Sequence, residues 1–163
     1  MPVGNRRKGR ELALKILYSL PDHQGEDIGQ ILSEFWRNFS FQDTVLGEAD
    51  DEGTGEPSLV VRRFAENLVM GVMDKQESID RLLQENSLNC SLNRMGRVDL
   101  ALLRMAVFDL AFCPDIASNV VINEAIEIGK RFGTAETPAF VNGILDRIAR
   151  VLRESGPKEQ AGD

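Results

Sequence analysis

Residues 94–112 read RMGRVDLALLRMAVFDLAF, and this stretch decides the fold. At 100° per residue its apolar side chains point in almost every direction, which is the pattern of a helix covered on all sides. Arg97 and Arg104 share one side, and Asp99 falls between Ala106 and Leu110 in angle, on an otherwise apolar arc. An aspartate there is costly without a partner, so it either receives a donor from within the chain or lies at the margin of an interface. A helix of this kind must be wrapped by others, and the flanking sequence supplies them.

Helical periodicity with end signals predicts seven helices, at 6–20, 27–39, 58–74, 76–86, 94–112, 119–132 and 138–153. Thr137 followed by Pro138 marks a helix start, Gly133 after Lys130, Arg131 and Phe132 marks a stop, and Pro114 closes the central helix. Alternating strand patterns, a dinucleotide-binding glycine fingerprint and a fixed repeat period are all missing from the sequence. The expected architecture is all-α, a single-domain compact bundle of about seven helices over residues 1–154, with an acidic loop at 42–58 and a flexible tail at 155–163. The 163 residues suit one core, and 42% hydrophobic with 28% charged residues suits a globular protein. The longest apolar runs are four residues, among them Leu100–Leu103, against the roughly 18 that a membrane span needs. Lys15 interrupts the first apolar segment, so no secretory leader is read and a cytoplasmic address is expected.

Charge is unevenly distributed. The net value is −7, yet residues 1–15 carry Arg6, Arg7, Lys8, Arg10 and Lys15 against Glu11, a balance of +4. Residues 42–58 hold six acids and no base, a balance of −6 that accounts for nearly all of the excess. Cations are disfavoured at a helix amino terminus, whose dipole is already positive, so this cluster is either a solvated, frayed helix start or a site for an external anion. Arginine forks suit phosphate oxygens, and four phosphate contacts on a single strand would give a log affinity against log salt slope of about −3.

On the first helix Leu12, Ala13, Ile16, Leu17 and Leu20 form a stripe about 140° wide, the expected core side. Arg7, Glu11, Leu14 and Tyr18 form the opposite row, which leaves Tyr18 either packed beneath a neighbouring segment or facing a partner. On the sixth helix, Asn123, Glu124, Glu127, Lys130 and Arg131 read as a solvated face opposite Val121, Ala125, Ile128 and Phe132. On the last helix Phe140 sits at the edge of the Ile144, Ile148 and Val151 stripe, with Arg147 beside it in angle. Such a pair either packs in the core or stacks on an unpaired base. Two cysteines, Cys90 and Cys113, and one histidine, His23, cannot complete a four-ligand zinc site, and the cysteines read as reduced apolar fillers. No nucleophile with a positioned base is visible, so no enzyme activity, cofactor or metal is expected.

Four segments carry a resemblance. Arg6 to Tyr18 is similar to an R-R-x-x-R-E-x-A-x-x-x-L-Y opening, and Val98 to Arg104 to the segment before the end of a central helix. Val121 to Gly133 is similar to I-N-E-A-I-E-x-A-K-x-F-G, and Phe140 to Asp146 to F-V-N-G-x-L-D. In this order they resemble the NusB family of bacterial transcription antitermination factors, with Cys90 standing where a tryptophan is usual. The resemblance implies a non-catalytic, NusB-like RNA-binding domain. It implies binding to the boxA element of ribosomal RNA leaders, a single-stranded RNA, together with the small-subunit ribosomal protein NusE, within the RNA polymerase antitermination complex. It also implies that Arg6, Arg7, Lys8 and Arg10 hold RNA phosphates, that Phe140 meets a base, and that Glu136 lies in a loop near the RNA. Tyr18 and Asp99 match positions on the protein-partner side. The alternative expectation is a helical protein-interaction module or homodimer without an RNA role.

Overall fold

The computed structural model describes residues 3–20, 27–38 and 57–160, with side chains from Gly4 to Ser155, and all regular structure among them is helical. The order is α1 (Val3–Tyr18), α2 (Ile28–Asn38), α3 (Leu59–Asp74), α4 (Gln76–Asn86), a 3-10 turn (Leu92–Arg94), α5 (Arg97–Phe112), α6 (Ser118–Phe132) and α7 (Thr137–Gln160). The all-α expectation holds. His23, residues 42–56 of the acidic segment and the last three residues lie outside the described residues. No helix among the described residues is long and apolar enough to cross a membrane.

The chain divides into two compact units, Met1–Gly71 and Val72–Asp163, with the division inside α3. In the second unit α5 packs against α4, α6 and α7. It buries Ala101, Leu102, Leu103, Met105, Ala106 and Val107, as its apolar circumference requires. Arg104 reaches out of this core as a two-pronged ion pair to Asp80 of α4, with Nε to Oδ1 at 2.9 Å and Nη2 to Oδ2 at 3.0 Å. α6 faces inward with Val121, Ala125 and Ile128 buried, and Asn123, Glu127, Lys130 and Arg131 exposed. Cys90 and Cys113 are half-buried thiols outside any disulfide.

In the first unit, Trp36 of α2 donates from Nε1 to Glu66 Oε1 of α3 at 2.7 Å, and the Arg62 guanidinium lies 4.7 Å from the Trp36 ring centre. These contacts join two helices whose inner faces bury Ile31, Leu32, Val61, Ala65 and Leu68.

Three expectations are corrected. The α1 stripe is only part of that helix's covered surface. Ala13 and Ile16 are fully buried as read, but so is Leu14 from the supposed solvent row, and Glu11 is 7% exposed, while Leu12, Leu17 and Leu20 are half-buried. Apolar residues outside one stripe mean that α1 is covered on more than one side. Next, α7 continues to Gln160 instead of ending at 153, so helical backbone occupies most of the segment expected to be a structureless tail. Arg153, Glu154, Lys158, Glu159 and Gln160 are good helix formers, and the backbone continues through Gly156 and Pro157. Lastly, α5 starts at Arg97, because Leu92–Arg94 forms a separate turn and Gly96 sits in extended backbone at the cap.

Candidate nucleic-acid interface

α1 starts at Val3, so the basic cluster sits on its first two turns, where no acid accompanies it in the first turn. Helical spacing separates the four bases by environment. Arg6 and Lys8 are exposed and Arg7 is half-buried. Arg10 differs from them. It is 6% exposed, and its guanidinium carbon stands 5.6 Å from the centre of the Phe64 ring. The neighbouring residue explains how α3 comes so close: a Cβ at Gly9 would collide with the Phe64 ring. Thus Gly9 gives the aromatic ring direct access to the α1 backbone, and Arg10 stacks against that ring. Of the four bases, Arg6 and Lys8 are thus the ones in solvent, and Arg10 is the most withdrawn. Tyr18, at the other end of the same helix, is half-buried.

The second unit carries the remaining residues singled out from the sequence. Asp99 lies in the first turn of α5, and its Oδ1 accepts a hydrogen bond from the Thr137 hydroxyl at 2.7 Å. The donor is therefore internal, which resolves the first of the two readings left open for this aspartate. Thr137 itself is wholly buried. Its Oγ1 also accepts the Thr134 N–H at 2.9 Å, so it bonds backwards into the turn and does not cap α7 in the way its place before Pro138 suggested. The first backbone bond of α7 runs from the Phe140 N–H to the Glu136 carbonyl at 3.1 Å. Glu136 is exposed, and its Oε2 accepts from the Thr134 hydroxyl at 3.1 Å. Phe140 is half-buried one turn into α7. Two turns further along the same face, Arg147 buries Nη1 without a hydrogen-bond partner, an unusual state for a donor.

Asp99, Thr137, Thr134 and Glu136 are thus brought together, with Phe140 at the adjoining helix start, in the second unit. The basic cluster and Tyr18 belong to the first. Phe64 and Thr137 are the residues that sequence reasoning did not assign to the site. Gly9, a helix-weakening residue in mid-helix, was the available signal for the first. The small residues at 129 and 133 preceding Thr137 were the signal for the second.

Residues 7–150 match the model of the NusB family. This chain belongs to that family. The transcription antitermination protein NusB of Syntrophotalea carbinolica is 54% identical over 153 residues, covering 94% of this chain and 97% of the relative. Among solved structures, T. maritima NusB is 34% identical with a TM-score of 0.69, covering 92% of each chain. The NusB of a complex described as antitermination factors NusB and NusE with dsRNA superposes with a TM-score of 0.68 at 22% identity, covering 92% of this chain and 99% of that one. It shares the fold. The NusB fold is therefore what holds the α1 cluster and the α6–α7 turn described above, and the family is one of transcription antitermination factors.

Proposed function

We propose that this NusB-family chain is a non-catalytic adaptor of the cytoplasmic transcription machinery. It binds boxA-type single-stranded RNA together with the ribosomal protein NusE and joins them to the RNA polymerase antitermination complex. The observation that carries the reading is the basic cluster on the opening turns of α1. Arg6 and Lys8 stand in solvent and Arg7 is half-exposed, with no acid in the first turn of the helix. Arg6, Arg7 and Lys8 contact phosphates, while Arg10, seated on Phe64, holds the helix that presents them. Phe140 and Glu136 meet the RNA at the α6–α7 turn, and Tyr18 and Asp99 serve the protein partner. The complex described with NusB, NusE and dsRNA supports RNA and NusE as partner classes.

A mobility-shift titration with a boxA-type oligonucleotide, with and without NusE, tests the proposal. Binding that weakens steeply with salt and strengthens with NusE is expected. Phe140→Ala should reduce preference for boxA over a scrambled strand, whereas Arg6→Ala should weaken both strands alike. A duplex competitor separates the single-stranded reading from a double-stranded one. Salt-independent binding, or none to any RNA, would leave the chain as a protein-interaction module.

A further inference from the structure

Among the described residues Thr137 is the polar side chain most completely withdrawn from solvent, at 0% exposure. A hydroxyl has one proton to give and lone pairs to receive. Here the proton goes to Asp99 Oδ1 at 2.7 Å, and a lone pair takes the Thr134 N–H at 2.9 Å. The backbone is shaped around this one side chain. A Cβ at Gly133 would lie 2.6 Å from Thr137 Cβ and 2.7 Å from its Cγ2, and a Cβ at Gly129 would lie 3.0 Å from the same methyl. A side chain at Gly133 would collide with Thr137, and one at Gly129 would press on its methyl.

We propose that Thr137 is a positioning residue through which the Asp99 carboxylate sets the geometry of the 133–137 turn, so that Asp99 acts on RNA binding as well as on the protein partner. The inference rests on the reading above that Glu136 and Phe140 face RNA. Donation to an anionic acceptor polarises the hydroxyl and makes its oxygen a better acceptor for the Thr134 amide, so the two bonds reinforce one another. The turn they fix carries Glu136, whose carboxylate takes the Thr134 hydroxyl at 3.1 Å. Its backbone also launches α7, since the Glu136 carbonyl receives the Phe140 N–H. Asp99 therefore reaches the RNA-side residues through two hydrogen bonds, with no contact of its own to RNA.

The test compares the full-length chain with Thr137→Val, Thr137→Ser, Asp99→Ala and the Thr137→Val/Asp99→Ala double variant. Two readouts are taken without NusE: affinity for a boxA-type oligonucleotide, and NMR hydrogen exchange of the Thr134 amide. Thr137→Val and Asp99→Ala are each expected to weaken RNA binding by about tenfold, and the double variant by no more than either single change. Thr137→Ser, which keeps the hydroxyl, should stay within about threefold of the parent. Thr134 exchange should accelerate in Thr137→Val and in Asp99→Ala and stay near the parent rate in Thr137→Ser, while core amides of α5 such as Leu103 stay protected. Effects that multiply in the double variant, or an Asp99→Ala chain with parental RNA affinity, would overturn the proposal. If the parent chain binds no RNA, the functional reading fails with the RNA role of the relay. Thr134 exchange then decides the relay itself, and unchanged exchange in Thr137→Val refutes it.

Discussion

Arg6→Ala and Arg10→Ala should fail in different ways, although the two residues lie one helical turn apart. Arg10 is 6% exposed with its guanidinium 5.6 Å from the Phe64 ring centre. Its removal deletes a desolvated cation–π contact worth about 2 kcal/mol, together with the packing of its aliphatic stem. In a chain of this size each kcal/mol lowers the melting midpoint by roughly 2–4 °C, so Arg10→Ala should melt at least about 4–8 °C lower. Arg6 is exposed, and its loss should leave the midpoint nearly unchanged. RNA binding reverses the order. With Arg6, Arg7 and Lys8 as the phosphate ligands, the slope of log affinity on log salt is about −2, shallower than the −3 that four free bases would give. Arg6→Ala removes one contact and should flatten the slope by about 0.7, whereas Arg10→Ala should leave it unaltered at temperatures where the chain is folded. Thermal unfolding and anisotropy titrations over a salt series give both quantities for each variant. An Arg10→Ala chain with a parental midpoint and a flattened slope would show that Arg10 grips RNA and that its seat on Phe64 contributes little. An unchanged slope in Arg6→Ala would remove the arm from the interface.

Gly9→Ala should destabilise by about 1–3 kcal/mol, because the added methyl collides with the Phe64 ring and outweighs alanine's better helix propensity. A raised melting midpoint would show that Phe64 yields without cost. The Arg104–Asp80 pair has both side chains about a quarter exposed and two parallel bonds, so a double-mutant cycle should give a coupling of about 1 kcal/mol. Strict additivity in chemical denaturation would contradict it. Deleting residues 43–56 removes six acids from a chain of net charge −7 and should tighten RNA binding at low salt, with the two proteins converging as salt screens the difference. Equal affinities at low salt would show that the acidic segment does not compete for the basic arm.

Most helices were legible because their signals are local. α4 was read at 76–86 and is observed there, and α5 was recognised as central because an all-round apolar helix has no other stable place. The site was legible only in part, since the deciding contacts are distant in sequence. Arg10 and Phe64 are 54 positions apart, and Asp99 and Thr137 are 38 apart, so no periodicity relates them. Reading Thr137 as a helix cap placed it at the correct helix start but missed that its hydroxyl donates to a carboxylate of another helix and accepts from the preceding turn. Burial energetics demand a donor for Asp99, but nothing in the sequence names it.

What the sequence did carry was the imprint of these contacts on glycine. Gly9 lies beneath Phe64, and Gly129 and Gly133 line the seat of Thr137, each at a place where a Cβ would intrude on a neighbour. Glycine in a helix interior costs about 1 kcal/mol relative to alanine, so Gly9 and Gly129 call for an offsetting contact, whereas Gly133 follows the end of α6. The signal is not specific, since Gly143, inside α7, has open space where its Cβ would stand. A glycine within or at the end of a helix therefore says that a close approach is permitted, and only the fold says whether it occurs. At Gly9 and Gly133 it does, and there the close approach fixes a residue of the proposed interface: Arg10 on its aromatic seat, and Thr137 between the Asp99 carboxylate and the turn that bears Glu136.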